Sequence, residues 1–206
     1  MEVFVTFLLN LIYISATLAL IALGLAMVFG LLGVMNMAHG EFVMLGAYSV
    51  YVVQLAGQHF LWAIPVAIVI CVMVGWLMEW LVVRHLYSRP FDTLLATWGV
   101  AILIRKGVEV IFTRDYKSVN QVMPGTIDLL GASYPAYRLL LVALIIVLFV
   151  ALFTWYQKSK AGLKIRAMVQ GPELAAAVGI DTARLSRATF IIGVSTAGLA
   201  GVMLAP

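Results

Sequence analysis

An amide, an imidazole and a carboxylate fall within six residues, Asn36-Met37-Ala38-His39-Gly40-Glu41. Groups of these types can move protons, hold a metal or hydrogen-bond a polar solute. Proton transfer needs an acid and a base placed on one substrate. His39 and Glu41 are two positions apart, on roughly opposite sides of a helix, and no nucleophile accompanies them. The three histidines, His39, His59 and His85, show no metal-ligand spacing. No serine sits in a complete G-x-S-x-G turn, and no G-x-x-x-x-G-K-S/T phosphate loop exists. The chain therefore has no route of that kind to ATP hydrolysis. A second polar group, Thr93, Thr97 and Trp98 beside Gly99, could also hydrogen-bond a solute. Threonine and tryptophan in apolar blocks more often serve helix packing and interface anchoring.

The cost of the first group depends on its depth. At a membrane surface it is solvated; inside a bilayer it needs partners or a water-filled cavity. Gly24, Gly30 and Gly33 precede it, and a short apolar block, 42–57, follows. That pattern suggests a broken or re-entrant helix, which transporters use to expose backbone groups near a permeation path. Residue physics alone slightly favours the surface turn, and both readings stay open.

The surrounding chain is 64% hydrophobic and 11% charged over 206 residues, with a mean hydropathy of +1.09. A soluble domain carries about 25% charged residues, so lipid is the solvent here. Lipid leaves helices or a closed barrel. The long unbroken apolar blocks lack a barrel's alternation. The expected fold is an all-α integral membrane protein. About six transmembrane or partly spanning helices are expected, some of them broken. Basic residues are spread over loops without aromatic interleaving, so nucleic acid is not an expected partner. Cys71 is the single cysteine, which excludes an internal disulfide.

Apolar blocks occupy 3–38, 42–57, 60–78, 93–104, 139–156 and 188–206. The block 93–104 is short and ends at Arg105-Lys106. Glu79 reads as interfacial, and Trp76, Trp80 and Tyr87 fit an aromatic belt. Residues 107–136 are polar, with a turn signal at Pro124-Gly125. If each block crosses once, loops 84–89 and 158–187 share a side. They hold Arg84, Arg89, Lys158, Lys160, Lys164, Arg166, Arg184 and Arg187. The other side has Arg105, Lys106, Arg114, Lys117 and Arg138. The larger basic set marks the cytoplasm, which puts the N-terminus on the outer side. Within 158–187, Gly171-Pro172-Glu173 reads as a helix start, Gly179 as its stop and Asp181 as the cap of a following helix. A short cytoplasmic helix, 172–178, lies between.

Two stretches carry a resemblance. One is Gly24-Leu25-Ala26-Met27-Val28-Phe29-Gly30-Leu31-Leu32-Gly33-Val34-Met35-Asn36-Met37-Ala38-His39-Gly40-Glu41, running on to Met44-Leu45-Gly46-Ala47-Tyr48. The other joins Gly162-Leu163-Lys164-Ile165-Arg166-Ala167, Ala175-Ala176-Ala177-Val178-Gly179-Ile180-Asp181 and Ala197-Gly198-Leu199-Ala200-Gly201. Both resemble permease subunits of branched-chain amino acid ABC importers, in the hydrophobic-amino-acid and amide class. A third run, Thr93-Leu94-Leu95-Ala96-Thr97-Trp98-Gly99, looks more like the urea branch of that class.

The resemblance implies a bacterial inner-membrane, multi-pass transport subunit, not an enzyme and without a cofactor. It implies a second permease subunit, two cytoplasmic ATPase subunits and a periplasmic solute-binding protein as partners. Residues 1–206 form one permease domain, with 158–187 as its coupling loop. The coupling contacts are then Glu173, Leu174 and Ala177, with Lys164 and Arg166 beside them. The candidates for the solute path are Asn36, His39, Thr97 and Trp98. Family members continue with further helices, so the chain looks truncated after Pro206. The alternatives are a sugar-type ABC permease, an intramembrane enzyme using His39 and Glu41, and a scaffolding subunit.

Overall fold

The structure is a computed structural model describing residues 2–87, 89–115, 117–120, 125–129 and 132–206. Pro124, the first half of the expected Pro124-Gly125 turn, lies outside the described residues. Among the described residues, four helical segments are long and apolar enough to cross a membrane: Glu2–Leu32, Phe60–His85, Ala136–Lys158 and Thr182–Leu204. The first is α1 (Glu2–Leu32), α3 (Ala63–Leu81) forms most of the second, and the others are α5 (Ala136–Lys158) and α8 (Thr182–Leu204). Two more helices, α2 (His39–Leu55) and α4 (Pro90–Phe112), complete a set of six. The architecture is that of an all-α membrane protein. The main departure is a small antiparallel hairpin in the polar stretch, β1 (Thr126–Leu129) with β2 (Ala132–Pro135).

Local chemistry sets the helix ends. α1 stops at Gly33, whose φ of +67° suits glycine, and the Gly33 N–H returns to the Phe29 carbonyl at 2.9 Å. Pro90 opens α4, where a missing N–H costs nothing. Thr113, at φ +64°, closes it. Asp181 caps α8 by accepting from the Arg184 N–H at 3.0 Å.

The loop expected over 158–187 is largely helical. After Ser159 comes α6 (Lys160–Gln170), then α7 (Pro172–Ala177), and α8 begins at Thr182. The Ser159 hydroxyl accepts from the Gly162 N–H at 2.9 Å and starts α6. Gly179, at φ +84°, follows α7, as the sequence suggested. The block read as ending at Arg105-Lys106 instead continues as helix to Phe112. It can do so because both cations are paired, Arg105 with Glu41 and Lys106 with Glu109.

α8 is the centre of the bundle. Its span window is 56% buried, against 28% or less for the other three spans. Small residues make this close packing feasible, since lipid offers helices no hydrophobic drive to associate. A Cβ at Gly46 would strike the Gly198 carbonyl, and one at Gly201 would strike the Val43 carbonyl. α2 and α8 thus meet backbone to backbone. On the other sides of α8, Gly193 faces Val28 of α1 and Val194 faces Gly75 of α3.

Two ends of the bundle are distinct. Asn10 in α1 accepts from Tyr134 at 3.1 Å and from Arg138 at 2.9 Å, so the start of α1 meets the start of α5. At the opposite end, a cavity of about 500 Å³ lies among Arg84, His85, Met168, Pro172 and Thr182. The turn after α3, the α6–α7 pair and the start of α8 therefore share one face, as assumed for loops 84–89 and 158–187.

Gly46→Leu or Gly201→Leu should force α2 and α8 apart and cost more than the about 1–3 kcal/mol of ordinary overpacking. Gly30→Ala should be silent, since its Cβ would meet nothing within 4 Å. Melting midpoints of the purified proteins in detergent would check this; equal midpoints for all three would contradict the packing.

Candidate functional site

The interruption between α1 and α2 turns one side into the bundle: Val34, Asn36, Ala38 and His39 are buried, while Met35 and Met37 are exposed. The His39 ring sits 6% exposed, and its Nε2 donates to the Ile21 carbonyl at 3.0 Å. Ile21 is eleven positions before the end of α1, or about 16 Å along the axis. The chain has therefore turned back along α1 before α2 begins. The slight preference for a surface turn is overturned. It failed because partners far away in sequence remove the cost of burial.

Those partners are specific. Thr97 Oγ1 accepts from the Met37 N–H at 3.0 Å and lies 3.3 Å from the Met35 carbonyl. Asn36 Oδ1 accepts from the Ala38 N–H at 3.0 Å. Asn36, His39, Glu41 and Thr97 are all buried. Two polar atoms there, Asn36 Nδ2 and His39 Nδ1, have no partner among the described residues. Of the four residues expected on a solute path, three meet at this interruption. Trp98 does not join them: it is 56% exposed on the outside of α4.

Two ion pairs carry carboxylates that sequence reasoning placed elsewhere or left unassigned. Glu41 Oε1 accepts from Arg105 Nε at 3.1 Å and also from Arg105 Nη2. This joins α2 to the sparsely packed α4. Glu79, expected at the interface, is 1% exposed and accepts from Arg187 Nε at 2.6 Å. The Tyr87 hydroxyl lies 3.4 Å from the same carboxylate. Burial, and then the Glu79 charge, push the Tyr87 phenol well above its usual range, so it stays a donor. A buried charge needs such partners, yet Arg187 is 108 positions from Glu79. The apolar neighbourhood of Glu79 was the one available signal, and it did not name the partner.

The α6–α7 elbow forms the basic end. Lys164, Glu173, Leu174 and Ala177 are exposed, with Leu174 and Val178 each 76% so. Ala175 is the buried residue of α7. Arg166 donates Nη1 to the Tyr156 carbonyl and Nη2 to the Gln157 carbonyl at 3.1 Å. Its guanidinium thus satisfies the end of α5, where a cation suits the helix dipole. Ser186 Oγ reaches Met168 Sδ at 3.4 Å and links α6 to α8. The described residues hold no group of His, Cys, Asp and Glu able to bind a metal.

A helix interrupted by a buried polar turn, inside a bundle of apolar helices, is an arrangement that membrane transporters use. More particularly, the chain belongs to the branched-chain amino acid transport system / permease component family, whose model matches residues 7–206. It is similar to the high-affinity branched-chain amino acid transport system permease protein LivH of Salmonella typhimurium. The two are 28% identical over 95% of this chain and 68% of that protein. The corresponding BraD of Pseudomonas aeruginosa is 24% identical over 96% of this chain and 69% of its own length. A probable LivH of Methanocaldococcus jannaschii is 25% identical over 92% and 62%. No solved structure matches the chain. The family is one of ABC-importer permease subunits, which favours neither the sugar-type nor the enzyme alternative. The names of these relatives refer to branched-chain amino acids and give no support to the urea branch.

Arg187→Gln should strand the Glu79 carboxylate and lower stability by about 3 kcal/mol. Adding Glu79→Gln should recover part of that loss. Detergent unfolding of the single and double variants measures it, and a double variant no more stable than Arg187→Gln would contradict the pairing.

Proposed function

We propose that this chain lets a branched-chain amino acid through the bacterial inner membrane, driven by ATP hydrolysis on separate subunits. The observation that carries the reading is the interrupted helix. Asn36 and His39 are buried between the helices, and each keeps one polar nitrogen without a partner among the described residues. Buried polar groups without partners are costly, and a passing polar solute is a partner for them. Thr97 sets the position of both by holding the turn. Trp98, facing outward, belongs to the contact with a second permease subunit in this reading.

The basic α6–α7 face is cytoplasmic by the positive-inside rule, and the start of α1 is periplasmic. Two ATPase subunits dock on α7 through Glu173, Leu174 and Ala177. Lys164 flanks that contact, and Arg166 fixes α6 to the end of α5. A rigid push on α7 then reaches α8 through Ala175 and Met168, and α8 packs on α1 and α2, the two helices that flank the interruption. Gating becomes a choice between two packed arrangements rather than a continuous bend. A periplasmic solute-binding protein delivers the amino acid at the other end. The membrane domain acts as one unit, with residues 158–187 as its coupling segment.

Two variants test the coupling. Glu173→Lys and Ala177→Trp should each lower leucine-stimulated ATP hydrolysis by the reconstituted complex about fivefold or more. Unchanged stimulation together with unchanged leucine uptake would refute the assignment of α7. His39→Leu should reduce uptake while leaving the assembled complex intact; full uptake would leave the chain a scaffold.

A further inference from the structure

A second site lies at the end of the bundle away from α6 and α7. A cavity of about 310 Å³ opens where α2, the end of α4 and the end of α8 converge. Ala47 and Ala205 form its floor, Tyr48 and Tyr51 one wall, and Arg114, Asp115 and Lys117 the rim. The wall is rigid for an opening at a surface. Tyr48 packs on Phe112 with ring centroids 4.8 Å apart, and Tyr51 meets both rings edge-on.

The rim is also held in place. Gln54 donates to the Asn120 carbonyl at 3.1 Å and accepts from the Asn120 N–H at 2.9 Å. This reciprocal pair fastens the segment after α4 over the end of α2. Asp115 accepts from the Thr113 hydroxyl at 2.8 Å, and Arg114 is steered by Glu109 at 3.1 Å. Lys117 and Asp115 stand 3.9 Å apart, the longest ion pair among the described residues. A pair that loose can be replaced by the two charges of a zwitterion without loss of charge balance.

The cavity also lines up with the interruption below it. Tyr48 is seven residues after Glu41 on α2, and Phe112 is seven after Arg105 on α4. Seven residues are two helical turns, so the aromatic wall stands on the same α2–α4 seam as the Glu41–Arg105 pair.

We infer that this cavity is the receiving site for the solute, and that it binds the zwitterion of a single apolar α-amino acid. Asp115 takes the ammonium, Lys117 and Arg114 take the carboxylate, and Tyr48 and Tyr51 cover the aliphatic side chain. The volume is at the small end of ligand pockets, about 300–1,000 Å³, which suits one amino acid and excludes a peptide. Urea would use neither the opposed charges nor the aromatic wall. The assignment rests on the amino-acid reading of the function.

The test is equilibrium binding of tritiated L-leucine to the full chain in nanodiscs, with no solute-binding protein added. L-leucine should compete about tenfold or more better than leucinamide, which lacks the carboxylate, or 4-methylpentanoate, which lacks the ammonium. Asp115→Asn should erase the advantage over 4-methylpentanoate, and Lys117→Gln the advantage over leucinamide. Tyr48→Ala should weaken all three ligands alike. Unchanged discrimination in both charge variants would overturn the site. Absence of leucine binding to the parent chain would overturn it too. Leucine uptake by the complete importer then separates the two claims: if it persists, the transport reading stands and only this site falls.

Discussion

Inside a bilayer, a backbone N–H or C=O that leaves a helix must find its partner within the protein, because no water is there to replace it. The segment between α1 and α2 leaves the helix and meets that demand through short local turns, the Asn36 side chain and one hydroxyl on α4. Thr97 accepts from the Met37 N–H, its own proton lies between the Leu94 and Met35 carbonyls, and Asn36 accepts from the Ala38 N–H. His39 then ties the start of α2 to the middle of α1. The polar side chains reach the interior only because this turn is satisfied there. The ion pair of Glu41 with Arg105 follows from the same placement.

α8 makes the turn affordable in space. Its glycines let the backbone of α2 come close, and its other sides receive α1 and α3. The same helix begins on the basic face, beside α6 and α7. One element therefore touches both the interrupted region and the elbow proposed to meet the ATPases. α4 is different: it is joined to the bundle through Thr97, Arg105, Ala101 and the Tyr48–Phe112 stack, with much of its apolar surface exposed.

Much of this was legible in the sequence, and the exceptions share a cause. α1, α3, α5 and α8 follow from apolar length. α7 follows from Pro172, Gly179 and Asp181, because capping is local chemistry. What the sequence could not display were pairings between helices. Glu79 looks interfacial until Arg187 is brought to it across 108 positions. Arg105-Lys106 reads as the end of a span until Glu41 and Glu109 are seen to neutralise both. The depth of Asn36 and His39 turned on Thr97, 60 positions from Met37. Trp98 shows the reverse case, since its neighbour is buried while helical rotation puts it outside.

The depth of the interruption is the claim on which the account turns, and cysteine cross-linking measures it directly. In a Cys71→Ala background, Met37→Cys is paired with Thr97→Cys or with Arg89→Cys, and membranes are treated with a mild oxidant. A disulfide needs Cα atoms about 4.4–6.8 Å apart. Position 97 is seven residues inside α4 from Pro90, about 10 Å along the helix. The structure expects rapid bridging of 37 to 97 and none of 37 to 89. Bridging of 37 to 89 with none to 97 would put the turn at the surface and contradict the account.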